Sequence, residues 1–199
     1  DFILKANGQE NKINSAEINK SMPGMIILHA SQPLFQSDTI IVSYRGTGLE
    51  SFDKGTLKPF ADVAVSNSLS KKFVVPGKIE AEDYIAELGV MAELCKDEGG
   101  EKNLGYIEDN DWMEYEIYVK KAGKYRIEYR ASSESAGGVI SLKTGNLMLI
   151  RTILKPTSSW QTWTTISSDA FELASGMHRI RITAEKGGFN LNWLNFIEE

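Results

Sequence analysis

Within residues 112 to 119 apolar residues at 113, 115, 117 and 119 recur at every second position, with two carboxylates between them, a period of two that fits an extended strand with one buried face. Met113, Tyr115, Ile117 and Val119 then share the core face, and Trp112, Glu114, Glu116 and Tyr118 the outer one. Further runs rich in β-branched and aromatic residues lie at 25–28, 39–44, 125–130, 139–142, 147–154, 178–183 and 191–197, separated by Gly, Asn, Asp, Ser or Pro. No long stretch carries a 3.6-residue period. Many short strands with regular turn signals predict an all-β chain of the β-sandwich kind.

A chain of 199 residues accommodates one large domain or two smaller ones. A break falls best at 67–77, where a polar stretch from Asn67 to Lys72 leads to Pro76-Gly77. Two domains are therefore expected, 1–72 and 73–199. With 42% hydrophobic and 25% charged residues, the chain can bury a core. The net charge of -5 opposes nucleic acid as a partner, since that needs a basic face. No apolar run approaches the roughly 18 to 20 residues of a membrane span, so no membrane partner is expected. The start at Asp1 lacks a basic and apolar leader, and the chain reads as an excised fragment with any export signal and catalytic domain upstream. Cys95 has no second cysteine to pair with and reads as a small buried apolar residue. With only His29 and His178 besides, any metal is to be held mainly by oxygen.

All four tryptophans, 112, 160, 163 and 193, lie in the second part. A sugar ring has an apolar face of C–H groups and a rim of hydroxyls, so its binder needs an exposed flat ring beside directional polar groups. Register puts Trp112 among carboxylates on an outer face. Trp160 and Trp163, an odd number of positions apart, are expected on opposite sides of an extended chain, one exposed and one in the core. Glu80 and Glu82 alternate with Ala81, so an extended strand aims both carboxylates one way, a start for a hard cation.

Residues 2–67, with Phe2-Ile3-Leu4-Lys5-Ala6-Asn7-Gly8, Asp38-Thr39-Ile40-Ile41-Val42-Ser43-Tyr44 and the closing Val65-Ser66-Asn67, resemble a bacterial Ig-like repeat without its opening strands. That resemblance implies a spacer. Residues 79–199 resemble a family 6 carbohydrate-binding module over their whole length. The matching text is Ile79-Glu80-Ala81-Glu82-Asp83-Tyr84, Gly105-Tyr106, Asp111-Trp112, Gly123-Lys124-Tyr125, Trp160-Gln161-Thr162-Trp163, Gly176-Met177-His178 and the run Gly187 to Trp193.

This second resemblance implies a jelly roll following the Ig-like domain, with sugar sites at its loop end or on one sheet face. It makes Tyr106 and Trp160 the pair that sandwiches a sugar, leaving Trp163 to the core. Asn190 supplies a hydrogen bond, and so does Glu93, placed in the loop before Gly105-Tyr106. A second groove would centre on Trp112, although its usual acidic partner has no counterpart around 143–146. Glu80 and Glu82, with Asn192 where the family has Asp, would hold a structural Ca2+.

The implied function is non-catalytic binding of a β-linked polysaccharide or oligosaccharide by a secreted or cell-surface protein that carries a covalently linked glycoside hydrolase. An adhesive cell-surface module is the alternative. Catalysis would need two carboxylates flanking a scissile bond. The pairs Asp109/Asp111 and Glu114/Glu116 read more simply as a loop and a solvated strand face, and half-buried His178 builds no nucleophilic triad.

Overall fold

The computed structural model describes residues 1–22, 24–51, 54–69 and 71–199. Among these there is no helix, and the chain divides into two compact units, 1–70 and 71–199.

The first unit contains β1 (Phe2–Ala6), β2 (Gln9–Asn11), β3 (Ile13–Ile18), β4 (Ile26–Ala30), β5 (Ile40–Tyr44) and β6 (Phe60–Ala64). Four of them form an antiparallel sheet in the order β2-β1-β5-β6, and β3 pairs with β4 as a separate hairpin. Asn7 and Gly8, at φ of 52° and 78°, make the tight turn between β1 and β2 that two left-handed residues allow. The rings of Phe2 and Phe60 lie 4.7 and 6.2 Å from that of Tyr44, which is buried with Leu4 and Ile40.

The second unit contains β7 (Lys72–Val75), β8 (Gly77–Glu80), β9 (Ala86–Leu88), β10 (Met91–Leu94), β11 (Lys102–Ile107), β12 (Trp112–Val119), β13 (Gly123–Ser133), β14 (Gly138–Thr144), β15 (Leu147–Leu154), β16 (Ser159–Ser167), β17 (Phe171–Leu173), β18 (Gly176–Lys186) and β19 (Phe189–Glu198). The larger sheet runs β10-β11-β19-β13-β16, with β8 on β19 and β17 on β13; the smaller runs β15-β14-β18-β12-β7, with β9 on β12. Side chains from both enclose one core, a jelly-roll sandwich.

Alternation explains which residues reach that core. On β12 Met113, Tyr115, Ile117 and Val119 are buried, as the sequence period requires. Tyr125, Ile127 and Tyr129 of β13 do the same from the opposite sheet. Pro76 separates β7 in the smaller sheet from β8 in the larger, which opens at Gly77, so the pair marks a change of sheet inside this unit.

Adjacent residues on β15 test this register. Leu154 is 3% exposed and Ile153 is 66% exposed. Leu154→Ala should cost about 2 to 5 kcal/mol in denaturant unfolding, and Ile153→Ala no more than about 0.5 kcal/mol. Equal losses would mean that the outer face of β15 is covered.

Candidate functional site

Glu93, Tyr106, Trp160 and Asn190 line one cleft of about 960 Å³. They come from β10, β11, β16 and β19, four strands of the larger sheet. Glu93 is not in a loop: it lies on β10, paired with Asn103 of β11, on a strand too short to show alternation and exposed along most of its length.

Irregular pairing presents both rings. Between β11 and β19 the register jumps from Leu104–Leu191 to Ile107–Phe189, leaving an extra residue on β11. Such a bulge re-aims a side chain. Tyr106 sits in it at φ +58°, a conformation bulky residues seldom adopt, and is 66% exposed. Between β13 and β16 the register shifts from Ala131–Thr164 to Ser133–Ser159, and the extra residues on β16 include Trp160, 42% exposed. The Trp160 carbonyl accepts hydrogen bonds from Ser132 Oγ and from Asn190 Nδ2.

The same shift defeats the odd-spacing argument for Trp163. Strict alternation does not survive a bulge. Trp163 is half-buried and outside the hydrophobic core, and its indole N–H donates to Gln161 Oε1 at 3.3 Å. Its expected core role is therefore corrected.

Asn190 is joined by two amides that the sequence reading missed as site residues, Asn103 and Gln161. Glu93 Oε1 accepts from Asn190 Nδ2 at 2.9 Å, Asn103 Nδ2 at 3.0 Å and Gln161 Nε2 at 3.4 Å. Gln161 Nε2 also donates to Asn103 Oδ1, while its Oε1 accepts from Lys96 N and Trp163 Nε1. Gln161 is thereby saturated and acts as a brace. Both partners of Asn190 Nδ2 are acceptors, which fixes its amide orientation. Glu93 Oε2 and Asn190 Oδ1 accept no hydrogen bond among the described residues. The cleft thus offers acceptors beside two exposed rings.

Glycines let the chain approach this closely. A Cβ at Gly105 would stand 2.9 Å from Glu93 Cδ, and one at Gly187 would stand 2.4 Å from the Ile107 carbonyl oxygen.

The stretch between β10 and β11 is pinned by Asp97, whose carboxylate takes Nε and Nη2 of Arg130, each at 2.7 Å, and Asn192 Nδ2 at 2.9 Å. The Arg130 guanidinium holds the Asp97 carboxyl below the usual carboxylate range. Cys95 in this stretch is half-buried, its Sγ accepting from Asp97 N at 3.4 Å, and burial pushes its thiol pKa up.

Of the residues expected to hold a metal, Glu80 and Asn192 lie on strands and Glu82 does not. β8 ends at Glu80, and Glu82 stands in the turn that follows, where Asp83 N donates to the Glu80 carbonyl. Glu80 pairs with Lys78 at 2.7 Å. Glu82 Oε2 and Asn192 Oδ1 are buried without a hydrogen-bond partner, which suits oxygen ligation of a hard cation. Burial, with Glu80 and Asp83 nearby, pushes the Glu82 carboxyl up.

Trp112 lies elsewhere, in a cleft on the outer face of the smaller sheet, with Arg181 over its ring. The carboxylate pairs considered for catalysis are engaged. Asp109 Oδ1 accepts from Gly187 N, Asp111 Oδ2 from Glu108 N, and Glu114 and Glu116 pair with arginines.

Comparisons with known proteins agree with this geometry. Residues 80–198 match the family described as carbohydrate binding module, family 6. The clotting factor G alpha subunit of Tachypleus tridentatus is 38% identical over 119 residues, 58% of this chain but 18% of that protein. A carbohydrate-binding module of Cellvibrio mixtus lichenase 5A, solved with cellotriose, is 35% identical with a TM-score of 0.60, covering 63% of this chain and 98% of that one. The C-terminal module of a marine laminarinase from Zobellia galactanivorans is 36% identical with a TM-score of 0.57, covering 61% of this chain and 98% of that one.

Removing the cation from the pinned stretch tests its role. Arg130→Ala leaves Asp97 charged and largely buried, and should cost about 2 to 3 kcal/mol by chemical denaturation, less than a fully buried pair because Arg130 keeps some surface in water. An unchanged midpoint would show that the pair is idle.

Proposed function

The chain belongs to carbohydrate-binding module family 6, and we propose that its second unit binds a neutral β-linked polysaccharide between Tyr106 and Trp160 without cleaving it. The observation that supports this most is the pairing of two exposed rings with unused acceptors at Glu93 Oε2 and Asn190 Oδ1. The rings take the C–H faces of a sugar, and its hydroxyls donate to the two acceptors. Glu93, Glu108 and Asp109 line this cleft and no Lys or Arg does, so an acidic sugar is repelled.

The wider reading is a targeting role. Similar modules belong to a lichenase and a laminarinase, and this chain spans less than a fifth of the length of curated relatives it matches. A covalently linked glycoside hydrolase in a secreted or cell-surface protein fits that setting, with the first unit as an Ig-like spacer. Glu82 and Asn192, with Glu80, are the proposed ligands of a structural Ca2+. The ion would neutralise the buried Glu82 carboxylate and fasten the turn after β8 to β19.

Trp160→Ala or Tyr106→Ala should each cost at least about 2 kcal/mol of affinity for cello- or laminari-oligosaccharides by calorimetry, with the melting temperature held. Unaltered affinity in both variants, or new reducing ends released by the pure protein, would sink this reading. Chelation should lower the melting temperature, since an ion that binds the folded state stabilises it by mass action. Sugar affinity at the rings should change less. A melting curve indifferent to both chelator and added calcium counts against the ion.

A further inference from the structure

The cleft at Trp112, about 600 Å³, has an electrostatic character opposite to that of the first. Its floor is a row across three strands. Glu114 of β12 stands directly opposite Arg181 of β18, which stands directly opposite Lys143 of β14. Glu114 is 13% exposed, and its Oε1 takes Nε and Nη2 of Arg181 at 2.9 and 2.8 Å. The same guanidinium lies over Trp112, with Cζ 3.9 Å from the ring centre. Held by a carboxylate and an aromatic face together, it occupies the surface on which a neutral sugar would stack.

Arg181 uses Nε and Nη2 on Glu114, and its Nη1 makes no hydrogen bond among the described residues. Lys143 makes no ion pair among them: Glu185, farther along β18, pairs with Arg151, which together with Lys143 beyond ion-pair distance holds its carboxyl below the usual range. Arg179 adds a third cation, its carboxylate partners at 3.4 and 3.7 Å. Like charges directly opposite on neighbouring strands destabilise a sheet. A bound anion offsets that cost.

We propose that this cleft binds an anionic group carried on a saccharide, a carboxylate or a sulfate, with Lys143 and Arg181 as the anion-holding pair. The inference rests on the reading that this unit binds saccharides, but it uses none of the residues of the first cleft. The chain's net charge of -5 does not oppose it, because at physiological salt a charge is felt over only about 8 Å.

The test titrates the whole chain with tetragalacturonate, a sulfated carrageenan tetrasaccharide and neutral cellotetraose, read by heteronuclear NMR. At least one anionic probe should shift the Trp112 indole and the backbone of β14 and β18, with affinity falling roughly tenfold from low to physiological salt. Which of the two does so separates carboxylate from sulfate. Lys143→Gln, a partly exposed change that spares the core, and Arg181→Gln should each weaken that binding about tenfold or more, while Trp160→Ala leaves it intact. Cellotetraose should respond in the reverse manner, so failure of the first cleft and failure of this one are told apart. The proposal is overturned if neither anion shifts these residues, if cellotetraose binds here as well as they do, or if Lys143→Gln leaves anion binding unchanged.

Discussion

The sandwich core admits almost nothing polar, and the architecture of both clefts follows from that exclusion. Three tyrosines are the main exceptions: the hydroxyl of Tyr115 donates to the Ala81 carbonyl at 2.6 Å and that of Tyr125 to the Lys121 carbonyl at 2.7 Å, while the hydroxyl of Tyr129 is buried with them. Most other polar side chains of the two sheets find partners on an outer face or at a strand end, because an unpaired buried polar group costs about 1 to 3 kcal/mol, and Ser141 Oγ and Thr152 Oγ1 stand out as buried without one among the described residues. On the larger sheet this gathers Asn103, Gln161 and Asn190 around one carboxylate oxygen of Glu93, and Asn192 and Arg130 around Asp97. The first group forms the floor of the aromatic cleft. The second holds the chain segment that carries Lys96, whose N–H in turn orients Gln161.

Rigid binding surfaces need rings that are exposed yet immobile, and here the backbone supplies both properties. Tyr106 leaves the sheet at a bulge in an unfavourable φ, which packing around Gly105 and Gly187 enforces. Trp160 leaves it at a second register shift, its carbonyl tied to β13 and β19. Neither ring belongs to the hydrophobic core.

The two sheets carry unlike clefts. One presents bare rings with carboxylates, and the other presents a tryptophan covered by an arginine amid further cations. The difference arises from strand neighbours. Glu93 faces amides, which leave its charge uncompensated, whereas Glu114 faces Arg181, which faces Lys143.

The sequence alone determined the all-β class and the core face of β12, since a period of two is a local property of any strand with one buried side. It also supplied, by resemblance, the four side chains that the fold gathers at the aromatic cleft. What it could not determine all depends on register between strands distant in sequence. The alternation that sorts Met113 from Trp112 fails at Trp163, because a bulge on β16 is defined only against its partner β13. Glu82 lies beyond the last bond of β8 to β19, from Ala81 N to the Asn192 carbonyl more than a hundred residues away in the chain, in a turn closed by Asp83 N on the Glu80 carbonyl. Likewise nothing near Trp112 in the sequence announces Arg181, which reaches it only because β18 lies beside β12 in the folded sheet.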